Sequence, residues 1–302
     1  MFNRLLLPLD GSRLAEAALP AAAGIAAAFG STIVLLHVIE RGAPATVHGE
    51  RHFTDNAAAD AYLRGLAGAL QVRGLTARVH VHDAPEGNVA VSIAQHSDEE
   101  QTDLIVLCTH GGGGVRGLLF GSIAQQVVQR GTTPVLLIRP PAAGSAPPAF
   151  APRTVLVPLD ATAASEVAIA PAVELAKAFS ARLHLTMVVA TRATVRGDQS
   201  PLATLLPSAT RVMLDLEREQ ADAYLRQQAD RLREAGLEVE TEVRRGDTPD
   251  QLAGDVAEHQ AGLVVVATHG RAGLQAIWTG SVATRLLSRT TAPVLLVRTV
   301  EG

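Results

Sequence analysis

The sequence predicts an α/β protein made of two tandem copies of one doubly wound domain, each a parallel sheet with helices on both faces. Three observations predict it. LLLPLDGS (5–12) returns as VLVPLDAT (155–162), DLIVLCTHGGGG (103–114) as AGLVVVATHGRAG (261–273), and TTPVLLIRP (132–140) as TAPVLLVRT (291–299), an offset of about 150–160 residues. Short Val/Leu/Ile runs alternate with longer stretches of helical period in each copy. The runs Leu104–Leu107 and Leu263–Val266 are apolar throughout, as strands covered on both faces must be.

In the first copy this pattern places strands at Arg4–Pro8, Thr32–Val38, Arg78–His82, Leu104–Leu107 and Val135–Ile138, with helices at Arg13–Phe29, Asn56–Arg73, Asn88–Gln95 and Ser122–Arg130. In the second it places strands at Thr154–Pro158, Arg182–Val188, Glu238–Arg244, Leu263–Val266 and Val294–Val297, with helices at Ala163–Phe179, Val212–Ala235, Pro249–His259 and Ser281–Ser288. Between the copies PPAAGSAPPAFAP (140–152) replaces periodicity with prolines and small residues, the composition of a semi-stiff linker. The domains are therefore drawn at 1–140 and 153–302. Residues 40–56 and 190–211 are long, polar and aperiodic, which fits binding, regulatory or disordered segments equally.

Composition narrows the function classes. Twenty-six basic against 30 acidic residues give a formal charge of −4, so no global attraction to nucleic acid or an anionic membrane is expected. Lys177 is the single lysine, and Cys108 the single cysteine, which excludes an internal disulfide and fits a reducing, cytoplasmic setting. The N-terminal apolar run meets Pro8 and Asp10 too early for a signal peptide, and the Ala-rich stretch Ala17–Phe29 is short of a bilayer crossing.

Glycine in ordered backbone costs roughly 0.5–1 kcal/mol relative to alanine, so the run Gly111–Gly114 needs a reason. In each copy the segment runs from a buried strand to an amphipathic helix, and nine residues separate Gly111 from Gly121-Ser122 and Gly270 from Gly280-Ser281. The intervening GGGVRGLLF and RAGLQAIWT share almost nothing, yet the count is kept. A loop beyond the carboxyl end of a parallel strand can aim consecutive N–H groups at an anion, and Gly-Ser at the following helix adds unpaired N–H groups and a hydroxyl. Gly114 and Gly273, with Arg116 and Arg271, complete that candidate phosphate cradle. Ordinary helix-start chemistry, with serine as N-cap after a tight turn, explains either copy alone equally well. For Asp10 and Asp160, which close the first strands, an Asx turn and a ligand contact are likewise both open.

Asp at the end of strand one (PLD), a second strand ending LHVI, and a loop of form G-x2-G-x9-G-[ST] together resemble the universal stress protein family, over both halves almost end to end. The resemblance implies two Rossmann-like, adenine nucleotide alpha hydrolase-like domains, each with a five-stranded parallel sheet of order 3-2-1-4-5. In the nucleotide-binding branch it implies ATP, with Mg, held by the loop. Gly111, Gly121 and Ser122, and Gly270, Gly280 and Ser281, are then the phosphate-binding positions. Asp10 and Asp160 stand beside the nucleotide, and the backbone of Val38 and of Val188 meets the adenine. The family also pairs last strands across a two-fold, which here would join Val135–Ile138 to Val294–Val297 in an intramolecular pseudo-dimer; a homodimer of whole chains stays open. The chain departs from the motif at its first glycine, where Cys108 and Ala267 stand, and at Ala84, whose counterpart is Gly246.

Other chemistry is poorly served. No G-K-[ST] exists for a Walker loop, no acidic residue follows Gly111–Gly117 at the dinucleotide-binding distance, and no G-x-S-x-G elbow or carboxylate pair stands near the loop. His110 and His269 flank the loop without metal-ligand spacing around them, so no metal site and no catalytic residue is expected. The expected function is nucleotide binding in stress-response regulation, with slow turnover at most. The alternatives are an interaction module of the same fold that has lost nucleotide in one or both halves, an adenylylating enzyme, and cyclic AMP in place of ATP.

Overall fold

The structure, a computed structural model, describes residues 1–40, 46–47, 50–51, 53–84, 88–109, 122–142, 145–195, 207–268 and 282–298. Two compact units form: Met1–Ala151 with the segment that begins at Pro293, and Pro152–Ala292.

The first unit contains β1 (Arg4–Pro8), α1 (Arg13–Glu16), α2 (Leu19–Phe29), β2 (Thr32–Glu40), β3 (Thr46–Val47), β4 (Glu50–Arg51), α3 (Asn56–Val72), β5 (Thr76–Ala84), α4 (Val89–Glu99), β6 (Leu104–Cys108), α5 (Ser122–Arg130) and β7 (Val135–Ile138). Its sheet runs β5-β2-β1-β6-β7, all parallel. Leu5, Leu6, Leu7, Ile33, Leu35 and Ile105 are wholly buried in it, and each buried Leu or Ile contributes roughly 1.5–3 kcal/mol.

The second unit contains β8 (Thr154–Pro158), α6 (Ala163–Glu166), α7 (Ile169–Phe179), β9 (Arg182–Val189), α8 (Pro207–Glu234), β10 (Val239–Arg245), α9 (Thr248–Glu258), β11 (Leu263–Thr268) and α10 (Val282–Arg289), with parallel strands in the order β10-β9-β8-β11. The last strand of the chain, β12 (Val294–Arg298), lies against β7 in the first unit, antiparallel, with Leu295 opposite Leu136. The two last strands thus pair as the family resemblance implies. That one antiparallel pairing makes the sheet mixed, while the strands within each copy pair in parallel.

Two further expectations are corrected. The helices expected at Arg13–Phe29 and Ala163–Phe179 are each broken in two, at Ala17-Ala18 and Val167-Ala168. Pro20 and Pro171 are the cause, since a proline ring clashes with the carbonyl four residues earlier, here Glu16 and Val167. The long helix of the second copy starts at Pro207 rather than Val212. Within the aperiodic stretch 40–56, β3 and β4 make a short antiparallel hairpin.

Side-chain caps fix four helix starts. Ser12, Asp55, Asn88 and Thr162 accept N–H groups of the first turns that follow them. Gly30 ends α2 in the left-handed region at φ +68°, and Ser180 adopts the same conformation after α7 at φ +51°. The end of the linker is fastened down: a Cβ on Gly24 of α2 would stand 2.7 Å from the Phe150 carbonyl oxygen. Among the described residues no helix is long and apolar enough to cross a membrane.

Candidate functional site

In a parallel α/β sheet, ligand chemistry belongs at the carboxyl edge of the strands. Asp10 follows β1 there. Its Oδ1 accepts the backbone N–H of Ser12 at 2.9 Å and the Ser12 hydroxyl at 2.6 Å, while Ser12 Oγ accepts the N–H of Ala15 at 3.2 Å. Asp160 repeats this with Thr162, at 3.0 Å and 2.6 Å, and Thr162 caps Ser165 at 3.2 Å. Both aspartates therefore make the Asx turn that starts the next helix. The Leu9 and Leu159 N–H groups, bonded to Leu36 and Thr186 carbonyls at 2.8 Å, hold these turns beside the second strands. His37 fixes the first copy further, with Nδ1 2.7 Å from the Leu9 carbonyl oxygen and Nε2 3.0 Å from that of Phe53.

Val38 is buried near the end of β2, in register with His82, and Val188 is half-buried on β9, in register with Arg244. Cys108 ends β6. Burial, reinforced by the negative charge of Asp10, pushes its thiol up to about 12, so this is a buried hydrophobe at neutral pH. Thr109 then continues the ladder to β7, placing its N–H on the Ile138 carbonyl at 2.7 Å. Ser122 opens α5, while Gly111, Gly114, Arg116 and Gly121, and Gly270, Arg271, Gly273, Gly280 and Ser281, lie outside the described residues, as do His110 and His269. The structure thus brings Asp10, Val38 and Cys108 to one edge, and Asp160 and Val188 to the matching edge of the second unit.

At that second edge a cleft of about 390 Å³ is lined by Thr191, Arg192, Arg211, Leu214, Asp215 and Arg245. Arg245 donates to Asp215 at 2.9 Å and to the Leu214 carbonyl at 3.1 Å. The strand registers put Asp83 where the second copy has Arg245, so the two edges differ in charge.

Two polar clusters on the third strands were missed by sequence reasoning. In the first unit His80, His82 and His96 converge; burial first, and the neighbouring imidazoles second, hold His96 below the ordinary histidine value. In the second unit Asp255, wholly buried, lies 3.0 Å from His184 Nε2 and 3.3 Å from the Arg244 guanidinium, which also reaches Glu242 at 3.2 Å and Glu258 at 2.6 Å. Burial disfavours the Asp255 charge, but these partners outweigh it and its carboxyl stays below the usual value. The only signals were His-x-His at 80–82 and acidic-Arg alternation at 240–244, which read as exposed strand faces.

Known proteins supply the remaining comparison. A model described as the universal stress protein family matches residues 1–139 and 152–298. A universal stress protein of Thermus aquaticus, from the QAH/OAS sulfhydrylase 3' region, is 37% identical over 146 residues, 46% of this chain and 100% of that protein. Universal stress protein YxiE of Bacillus subtilis is 29% identical over 148 residues, 46% of this chain and all of that one. A crystal structure of a universal stress protein from Archaeoglobus fulgidus superposes with a TM-score of 0.70 at 19% identity, over 99% of this chain and 97% of that chain, a likeness of fold. With its family motif carried twice on this α/β frame, the chain belongs to the universal stress protein family.

Proposed function

We propose that the protein is a cytoplasmic regulator of the stress response that binds adenine nucleotide, ATP with Mg, at up to two sites, one in each domain (1–140 and 153–302). The observation that carries this reading is the twice-kept count from Gly111 to Gly121-Ser122 and from Gly270 to Gly280-Ser281, immediately beyond β6 and β11. Backbone N–H groups of these loops hold the phosphates, with Gly114, Arg116, Gly273 and Arg271 completing the cradle. Asp10 and Asp160 stand beside the nucleotide, and the backbone of Val38 and Val188 meets the adenine. Any turnover is slow, since the sequence places no general base at the loop.

Calorimetric titration with Mg-ATP tests the reading. Wild type takes up nucleotide at no more than two equivalents, and the double variant Gly121→Val/Gly280→Val loses it. Unchanged binding in that variant removes the loop assignment. Cys108 favours one rival, an interaction module: its buried thiol fills the position of the motif's first glycine beside Asp10. Absence of any adenine nucleotide in gently desalted protein, together with no thermal shift in millimolar ATP, selects that rival.

A further inference from the structure

We propose that His80, His82 and His96 form a site for a divalent transition-metal ion of the zinc class. On β5, residues two apart share a face of the sheet, so His80 and His82 stand side by side with ring centroids 6.4 Å apart. α4 brings His96 between them, at 4.5 Å from His80 and 4.3 Å from His82. One ring nitrogen from each of the three lies within 4.8 Å of the other two. Zn–N bonds of about 2.0–2.1 Å put tetrahedral ligand atoms about 3.4 Å apart, so a modest rotation of the rings closes the set.

Hydrogen bonding gives the second, independent reason. His96 is buried, 7% exposed, and among the described residues its Nε2 has no hydrogen-bond partner; the buried Nε2 of His80 has none among them either. Buried ring nitrogens without partners are destabilising unless something takes up the lone pair. Nδ1 of His96 lies 2.9 Å from Oε2 of Glu99. A carboxylate on the far nitrogen fixes the tautomer that turns the Nε2 lone pair inward, the arrangement that supports metal-bound histidines.

The second copy is an internal control. Opposite Leu36 and Val38 stand His80 and His82; opposite the corresponding Thr186 and Val188 stand Glu242 and Arg244. The backbone bonds Glu100 N to His96 O and His259 N to Asp255 O make Asp255 the counterpart of His96. There Arg244 supplies a cation, 3.3 Å from Asp255 and 3.2 Å from Glu242, so the negative charge of that cluster is met from within, although its His184, Glu242, Asp255 and His259 also come close together. In the first copy a third imidazole replaces the guanidinium. Three neutral imidazoles suit zinc, copper, nickel or cobalt rather than magnesium or calcium. His80 and His82 are half-buried, which leaves the outer side for water or an anion as fourth ligand.

The test uses the full chain, stripped with EDTA and free of nucleotide, titrated with zinc chloride and separately with cobalt(II). Wild type is expected to bind one equivalent of zinc, and cobalt to give the visible absorption of a four-coordinate site. His82→Ala should weaken zinc at least about tenfold and abolish that absorption. Glu99→Gln, at an exposed helix position, should weaken zinc about 10–100-fold through its loss as buttress. His259→Ala in the second copy should leave both readouts unchanged. No uptake by wild type overturns the proposal. So does uptake undiminished in a His80→Ala/His82→Ala variant with wild-type circular dichroism.

Discussion

The hydroxyl of Ser12 and its own backbone N–H both donate to one oxygen of Asp10, at 2.6 and 2.9 Å, so a single carboxylate oxygen sets the start of α1. Ser12→Ala removes the cap and one of these bonds and is expected to lower stability by roughly 1 kcal/mol, read from urea unfolding followed by circular dichroism. Asp10→Asn keeps an acceptor in the turn. Under the nucleotide reading it weakens Mg-ATP at the first site about tenfold while moving the urea midpoint little; equal affinity for the two proteins would restrict Asp10 to its capping role.

Cys108 should be silent toward alkylating reagents. With its thiol held up to about 12, the thiolate fraction at pH 8 is on the order of 10⁻⁴. Iodoacetamide at that pH is expected to label the folded protein negligibly and the urea-unfolded protein fully, by intact mass. Asp10→Asn takes away a charge that raises the thiol, so labelling at pH 10 should accelerate. Rapid modification of the native chain at pH 8 would contradict the burial of this side chain.

The carboxylate of Asp255 is wholly buried against His184 and Arg244. Removing one member of such a network strands the others, and Asp255→Ala is expected to cost about 3–5 kcal/mol. The pH dependence has a definite sign. Because the folded pKa is depressed, the contribution is fully present above the ordinary aspartate value and is lost as pH falls through the lower folded value. Thermal melts of wild type should therefore fall on acidification more steeply than those of Asp255→Asn, whose acid limb should be flatter.

Ser180 holds a left-handed conformation, φ +51°, at the end of α7, where the first copy uses Gly30. Its side chain is exposed. Ser180→Gly removes the Cβ conflict and should stabilise the second unit by about 0.5–1 kcal/mol, and Gly30→Ser should destabilise the first by a similar amount. A differential scanning calorimetry trace in which neither variant moves a transition would remove this account of the two caps.

Much of the architecture was legible because buried parallel strands leave an apolar run that a duplicated chain prints twice. Leu5–Leu7 and Val155–Val157 are examples, all essentially without exposure. The breaks at Ala17-Ala18 and Val167-Ala168 had a signal in Pro20 and Pro171, but an apolar helical period continues through both and hides them. β12 could be located from composition, and its partner β7 only through the family resemblance, since Val, Leu and Leu pair as readily in either direction. Of the candidate site, the turn role of Asp10 and Asp160 was readable from LDGS and LDAT. The His96 contact with His80 and His82 was not, because it depends on which side of α4 meets β5, and residue 96 is some fourteen positions from 82 in the sequence.

The placement of Val294–Arg298 beside Val135–Ile138 has a consequence for biosynthesis. On the ribosome, every residue of 152–292 is polymerised before the strand that borders β7 exists. The N-terminal half therefore emerges with a row of unsatisfied main-chain donors and acceptors along Val135–Ile138, a hazard for premature association between nascent chains. Synthesis of Val294–Arg298 closes it.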